Sequence, residues 1–233
     1  MAQKIGVVAC DVIKNEIINA CKGVDIPMVF LDYGLHRTPQ KMPECINESV
    51  HDLNNIGIDS VILGYGLCSN GVVGVSSIGN IIIPRCHDCI SLLLGSPERY
   101  MKLFTELPGT YFLTDGWIRN GGDPISTIEQ RYIPRLGEKK AWKGMRMELA
   151  NYKKICFVNN GIGDIEMLRE RSKENAKAFG FEYIEVEGDL SYFKRLMFGP
   201  REMREFVLLG PGEEIKDNFF YGNPELAAFQ GAR

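Results

Sequence analysis

Ser60-Val61-Ile62-Leu63-Gly64-Tyr65-Gly66-Leu67-Cys68-Ser69-Asn70-Gly71 holds a strand and the loop that leaves it. The opening run is apolar without alternation, as expected of a strand covered on both faces and therefore of a parallel sheet. The remainder mixes glycines with Ser and Asn, a turn suited to close backbone approach. A cysteine sits inside that turn.

The same grammar repeats outward. Ile5–Ala9, Pro27–Leu31, Asn80–Ile83 and Thr110–Leu113 read as further strands, with helices predicted over Val12–Cys21, Pro43–Leu53 and Cys89–Phe104. The last of these bends near Gly95-Ser96-Pro97, where proline cannot continue a helix. After a polar stretch the pattern restarts: strand Ile155–Val158, helix Asp164–Phe179, strand Glu182–Val186, helix Leu190–Met197 and strand Glu205–Leu209. The fold class expected is α/β, two Rossmann-like βαβ halves with mainly parallel sheets joined by a helical connection. The halves are read as 1–117 and 154–212, the connection as 118–153 and a tail as 213–233.

Composition narrows the class of function. The 233 residues are 45% hydrophobic and 24% charged, which excludes wholesale disorder. The net charge of −3 and the absence of a dense basic run argue against nucleic acid as a partner. Lys139, Lys140, Lys143 and Arg146 are flanked by Glu138 and Glu148 and read as a solvated helix face. The apolar run Ile5–Ala9 is too short for a signal or a span, and no stretch reaches the roughly 18 apolar residues of a transmembrane helix. A cytoplasmic location without membrane association is expected. Its seven cysteines are then expected to stay reduced.

Ligands of open α/β sheets bind outside the carboxyl ends of the strands. Those ends carry Cys10-Asp11, then Asp32 to His36, then Gly64 to Gly71, then Pro84-Arg85-Cys86-His87-Asp88-Cys89, then Thr114 to Trp117. Four of the seven cysteines and two of the three histidines fall there. Cys86 and Cys89 form a C-x-x-C, a spacing that lets two thiolates reach one metal or form a redox pair. Cys21, Cys45 and Cys156 lie within elements and read as packing residues.

Other motifs are absent or weak. There is no G-x-x-x-x-G-K-[ST], no Gly-x-Ser-x-Gly elbow and no His-Glu-x-x-His. Asn160-Gly161-Ile162-Gly163-Asp164 opens a helix after a strand, but Glu166 takes the third glycine position and repels a pyrophosphate, so Asp164 reads as a helix cap. Gly210-Pro211-Gly212 reads as a turn.

Taken together, Ala9-Cys10, Leu35-His36, Gly66 to Gly71, His87-Asp88-Cys89 with Gly95-Ser96, and Gly109 to Asp115 resemble an uncharacterised family catalogued as domain of unknown function 1638. The resemblance covers most of the chain up to about Trp117. It implies matched cysteines at Cys10, Cys68 and Cys89, with Cys86 a feature of some members. It also implies a setting in anaerobic metabolism, some members being encoded beside corrinoid-dependent methyltransferases.

On that basis a [4Fe–4S] cluster is expected on Cys10, Cys68 and Cys89, with Cys86 as a further or substitute ligand. An iron left open then acts as a Lewis acid on a small anionic substrate. His36, His87 and Asp115 are the expected acid–base groups, and Gly66, Asn70, Gly71 and Arg85 the expected binding groups. Zinc on Cys68, Cys86, Cys89 and either Cys10 or His87 is the competing metal. Two alternatives stand beside the iron–sulfur enzyme: a corrinoid-binding or metal-delivery accessory, and a metal-free two-cysteine enzyme resembling racemases. Expected partners are a corrinoid protein or methyltransferase, and a second copy of the chain.

Overall fold

The structure is a computed structural model and describes residues 4–220. Its strands are β1 (Ile5–Cys10), β2 (Met28–Leu31), β3 (Ser60–Gly64), β4 (Asn80–Pro84), β5 (Thr110–Leu113), β6 (Lys154–Asn159), β7 (Glu182–Glu187) and β8 (Phe206–Leu209). They form a five-stranded sheet in the order β2-β1-β3-β4-β8 and a three-stranded sheet in the order β5-β6-β7. The described residues divide into two compact units, 4–101 with 189–220, and 102–188. The α/β class with Rossmann-like, mainly parallel sheets holds in both.

In the first unit β1 pairs in parallel with β2 and β3, and β3 with β4. Val7, Val8, Val61, Ile62 and Leu63 are wholly buried, as strands covered on both faces must be. The helix Met42–Asn55 turns Met42, Ile46, Val50 and Leu53 inward at helical spacing. Each such side chain contributes about 1.5–3 kcal/mol by leaving water. The strand order reverses direction between β1 and β3. That is a topological switch point, where the crossovers diverge and leave a crevice at the carboxyl ends.

The second unit stacks β5, β6 and β7 in parallel. The helix Ile165–Phe179 packs Leu168 and Ala176 onto Leu113, Ile155 and Phe157. A smaller core joins Ile128, Ala141, Met145 and Leu149.

Two strands sit in sheets other than those expected from the sequence. Thr110–Leu113, expected in the first half, pairs with β6; Phe206–Leu209, expected in the second, runs antiparallel to β4. An apolar run of four residues specifies a strand but not its partner, and sheet-edge pairing is decided by tertiary packing. The segment after Gly212 also joins the first unit: Ile215 exchanges main-chain hydrogen bonds with Gly74 and Val75 at 2.9 and 2.8 Å. The rest of the tail, 221–233, lies outside the described residues.

Candidate functional site: a pocket of buried thiols

β1 ends on Cys10, and its Sγ lies 3.3 Å from Nε2 of His36. His36 stands on the 3-10 turn Tyr33–Arg37 after β2, whose entry is fixed by Asp32 accepting the Gly34 N–H at 2.6 Å. The loops after β3 and β4 are tied to each other through the main chain. The Leu67 N–H donates to the Cys86 carbonyl at 2.9 Å, and the Cys68 N–H to the His87 carbonyl at 3.0 Å. Cys68, Ser69 and Asn70 all adopt left-handed φ values of 48, 56 and 66°, and Gly71 closes the turn onto the Cys68 carbonyl at 3.1 Å. Side chains in that region carry a steric cost, and such strain clusters at functional sites.

Glycine at 66 has a specific cause. A Cβ there would fall 2.8 Å from both N and Cα of Asp88, so only glycine lets the two loops approach. Asp88 in turn organises the segment after β4. Its Oδ1 accepts the Ile90 N–H at 2.9 Å, its Oδ2 accepts the Tyr100 hydroxyl at 2.9 Å, and His87 Nδ1 lies 3.6 Å from Oδ2.

Cys10, Cys68, Cys86 and Cys89 are all buried, none more than 6% exposed. Burial pushes the Cys68, Cys86 and Cys89 thiols well up from their ordinary value. Neighbouring negative charge adds to this: Cys10 and Asp88 act on Cys68, Asp88 and Cys68 on Cys86, and Cys68, Asp88, Cys10 and Cys86 on Cys89. Burial also holds the His36 imidazole below its ordinary value, against the opposing pull of Asp88. Burial thus favours the neutral form of the Cys68, Cys86 and Cys89 thiols and of the His36 imidazole, and a positive charge brought among the thiols would favour their ionisation.

Tyr65 is the residue that sequence reasoning missed. Its ring is 1% exposed, and its hydroxyl is buried without a hydrogen-bond partner. After burial itself, Cys10, Cys68, Cys45 and Cys89 are what raise its pKa, so the hydroxyl lies in the field of the thiols. A buried polar atom without a partner calls for an explanation, and a ligand is one. The signal was present in Gly64-Tyr65-Gly66, a large residue between glycines at a strand end.

The donor chemistry suits zinc or an iron–sulfur cluster, both of which take soft thiolates. As the side chains stand, no three His, Cys, Asp or Glu among the described residues are arranged to hold one metal ion.

Residues 30–197, well over half the chain, match the family described as Protein of unknown function (DUF1638). The chain belongs to the DUF1638 family. No curated protein and no solved structure matches it. The match takes in His36, Cys68, Cys86 and Cys89, begins after Cys10, and runs on beyond Trp117.

Within this DUF1638 protein the other expected site residues have separate fates. Gly71 lies against Met42, whose Sδ is 2.6 Å from where a Cβ would stand. Asn70 is exposed at the turn. The Arg85 guanidinium donates to the main-chain carbonyls of Met203, at 3.1 Å, and of Phe219, so it ties down the C-terminal segment. Asp115 belongs to the second unit, where it starts the helix Asp115–Arg119 and lies 3.7 Å from Arg119. Cys156 is a buried residue of β6 whose thiol burial pushes up to about 12. Cys45, read as a packing residue, is half-buried on the helix Met42–Asn55 and adds to the effects that raise Tyr65. Among the described residues no helix is long and apolar enough to cross a membrane.

Proposed function

We propose that this is a metal–thiolate protein whose switch-point pocket takes a [4Fe–4S] cluster on Cys10, Cys68 and Cys89 and acts on a small anionic substrate in anaerobic one-carbon or corrinoid-linked metabolism. What supports this is that three buried thiols from three strand ends, Cys10, Cys68 and Cys89, all act on the unpartnered hydroxyl of Tyr65. Three thiolates in one dry pocket repel one another, and a cluster's cationic iron offsets that repulsion. Bound there, the cluster supplies an open iron able to polarise a substrate oxygen. Loading requires the thiols to lose their protons and turn among their staggered rotamers. His36 and Tyr65 are the groups of this chain placed to hold or move a proton beside the substrate. The Arg85 guanidinium is engaged by the carbonyls of Met203 and Phe219. A corrinoid protein or methyltransferase is the proposed partner.

A second reading has one observation in its favour. The 3.3 Å contact between Cys10 and His36 is a thiol–imidazole pair that needs no metal to transfer a proton. Iron and zinc per chain, measured after anaerobic purification of the wild type, Cys68→Ser and Cys21→Ser, separate the two. Iron near cluster stoichiometry with brown absorbance, lost in Cys68→Ser and kept in Cys21→Ser, supports the cluster. Equal metal in all three refutes it, and colourless metal-free protein leaves the thiol–imidazole reading standing.

A further inference from the structure

The second unit has a site of its own, built from different residues. β6 and β7 are adjacent parallel strands, and their carboxyl ends enclose an open cavity of about 400 Å³. Asn159, Asn160, Gly161, Glu185, Glu187 and Gly188 line it. That volume lies within the range of small-molecule sites. The connection is strand, glycine loop, helix, strand: β6 runs into Asn160-Gly161-Ile162-Gly163-Asp164, the helix Ile165–Phe179 comes next, and β7 ends on Glu187. Gly161 and Gly163 take φ values of +69 and +83°, which lets the loop turn back over the strand end.

The cavity's chemistry is one-sided. Asn159 is committed within the wall: its Nδ2 donates to Glu185 Oε1 at 3.0 Å, and its Oδ1 accepts the Gly161 N–H at 3.0 Å. Glu185 is held by Arg169 through two contacts of 2.7 and 2.9 Å, which together with other hydrogen bonds keep its carboxyl down at about 2. Glu187 stands at the rim as a carboxylate at the end of β7. Asn160 lines the same cavity, and both polar atoms of its carboxamide are closed off from solvent with no hydrogen-bond partner. An orphaned carboxamide of this kind is costly in a folded protein unless a ligand completes it.

A ligand here must bring hydrogen-bond donors to a carboxylate and both a donor and an acceptor to Asn160. It must also lack phosphate, because Asp164 and Glu166 at the helix start add negative charge where a phosphate would otherwise sit. In strand–loop–helix–strand units, an acidic residue ending the second strand holds the hydroxyls of a ribose. Glu187 occupies that place. We infer that this cavity binds a ribonucleoside or a phosphate-free nucleoside derivative, with the ribose diol on Glu187 and an edge of the ligand on Asn160. The inference is independent of the thiol pocket.

The test is calorimetric titration of the full chain with adenosine, guanosine, cytidine and uridine. At least one is expected to bind saturably with Kd below about 1 mM. The 2′-deoxy form of that nucleoside, and the variants Glu187→Gln and Asn160→Ala, are each expected to weaken binding about tenfold or more, as loss of a hydrogen bond to a charged or buried group does. Its 5′-monophosphate is expected to bind no more tightly than the nucleoside. Circular dichroism of both variants checks that the fold is kept, which the exposed position of Glu187 favours. Absence of saturable binding by all four nucleosides overturns the inference. So does equal affinity for the 2′-deoxy form, tighter binding of the monophosphate, or binding that survives Glu187→Gln unchanged.

Discussion

The Cys10 Sγ lies 3.3 Å from the His36 Nε2, joining the carboxyl ends of β1 and β2. The imidazole there is kept neutral by burial, with its pKa below the ordinary 6.5. Such a histidine sets a direction for stability against pH. Above about pH 6.5 both folded and unfolded chains carry it neutral, and it adds no pH dependence. As pH falls below that value the unfolded chain takes the proton while the folded chain resists, so stability falls. Urea midpoints between about pH 7.5 and pH 5.5 should therefore decline more steeply for the wild type than for His36→Asn. Parallel curves would show that His36 is not held neutral.

Asp88 works on several thiols at once. Its charge raises Cys68, Cys86 and Cys89, and it raises Tyr100 both by charge and by their hydrogen bond. In Asp88→Asn the thiols should ionise at lower pH, since removal of a nearby negative charge favours the thiolate. Iodoacetamide alkylation of the metal-free protein, tracked residue by residue with mass spectrometry, should show the rate–pH curves of these cysteines displaced to lower pH. An unmoved curve would mean that burial and the neighbouring thiols set them without Asp88.

Gly66 gives a stability test with a built-in control. Gly66→Ala forces a Cβ onto the Asp88 backbone, which has no flexible end to move aside, and should cost about 1–3 kcal/mol. Gly144 lies inside the helix Glu138–Glu148 with nothing within 4 Å of its would-be Cβ. Gly144→Ala should instead stabilise by about 0.4–1 kcal/mol, through helix propensity and a less flexible unfolded chain. Thermal or urea unfolding of the two variants should move in opposite directions.

Ser69 is the exposed middle residue of the left-handed run Cys68–Asn70. Glycine adopts its φ of 56° without steric cost, whereas alanine does not. Ser69→Gly should raise stability by up to about 1 kcal/mol, and Ser69→Ala should give no gain. A stabilising alanine would mean that the turn relaxes out of the left-handed region.

Much of the first sheet was legible because its signal is local. The apolar runs Ile5–Ala9, Ser60–Leu63 and Asn80–Ile83 need cover on both faces, and each is a parallel strand within a residue of its expected end. Cys10 ends β1, and Cys68 and Cys89 follow β3 and β4, for the same reason, since position along a strand and after it is a property of sequence alone. The features that were not legible depend on partners far along the chain. Arg85 binds carbonyls of residues more than a hundred positions away, so its role as a tie had no local signature. Phe206–Leu209 reads as a strand whichever sheet receives it. Tyr65 carried one local signal, its place between Gly64 and Gly66 at a strand end, but that its hydroxyl is left without a partner is decided only by folding.

The thiol pocket is laced by the main chain: Leu67 and Cys68 bond to the carbonyls of Cys86 and His87, and no side chain takes part in those stitches. Scaffold and chemistry are thereby uncoupled. Positions 68, 86, 87 and 89 form an exchangeable cassette in which one donor can replace another while the lacing stays tied, with Gly66 as the fixed eyelet. For protein engineering this makes the DUF1638 fold a chassis for exchanging side-chain chemistry, from all-thiol to mixed imidazole–thiol sets, one substitution at a time.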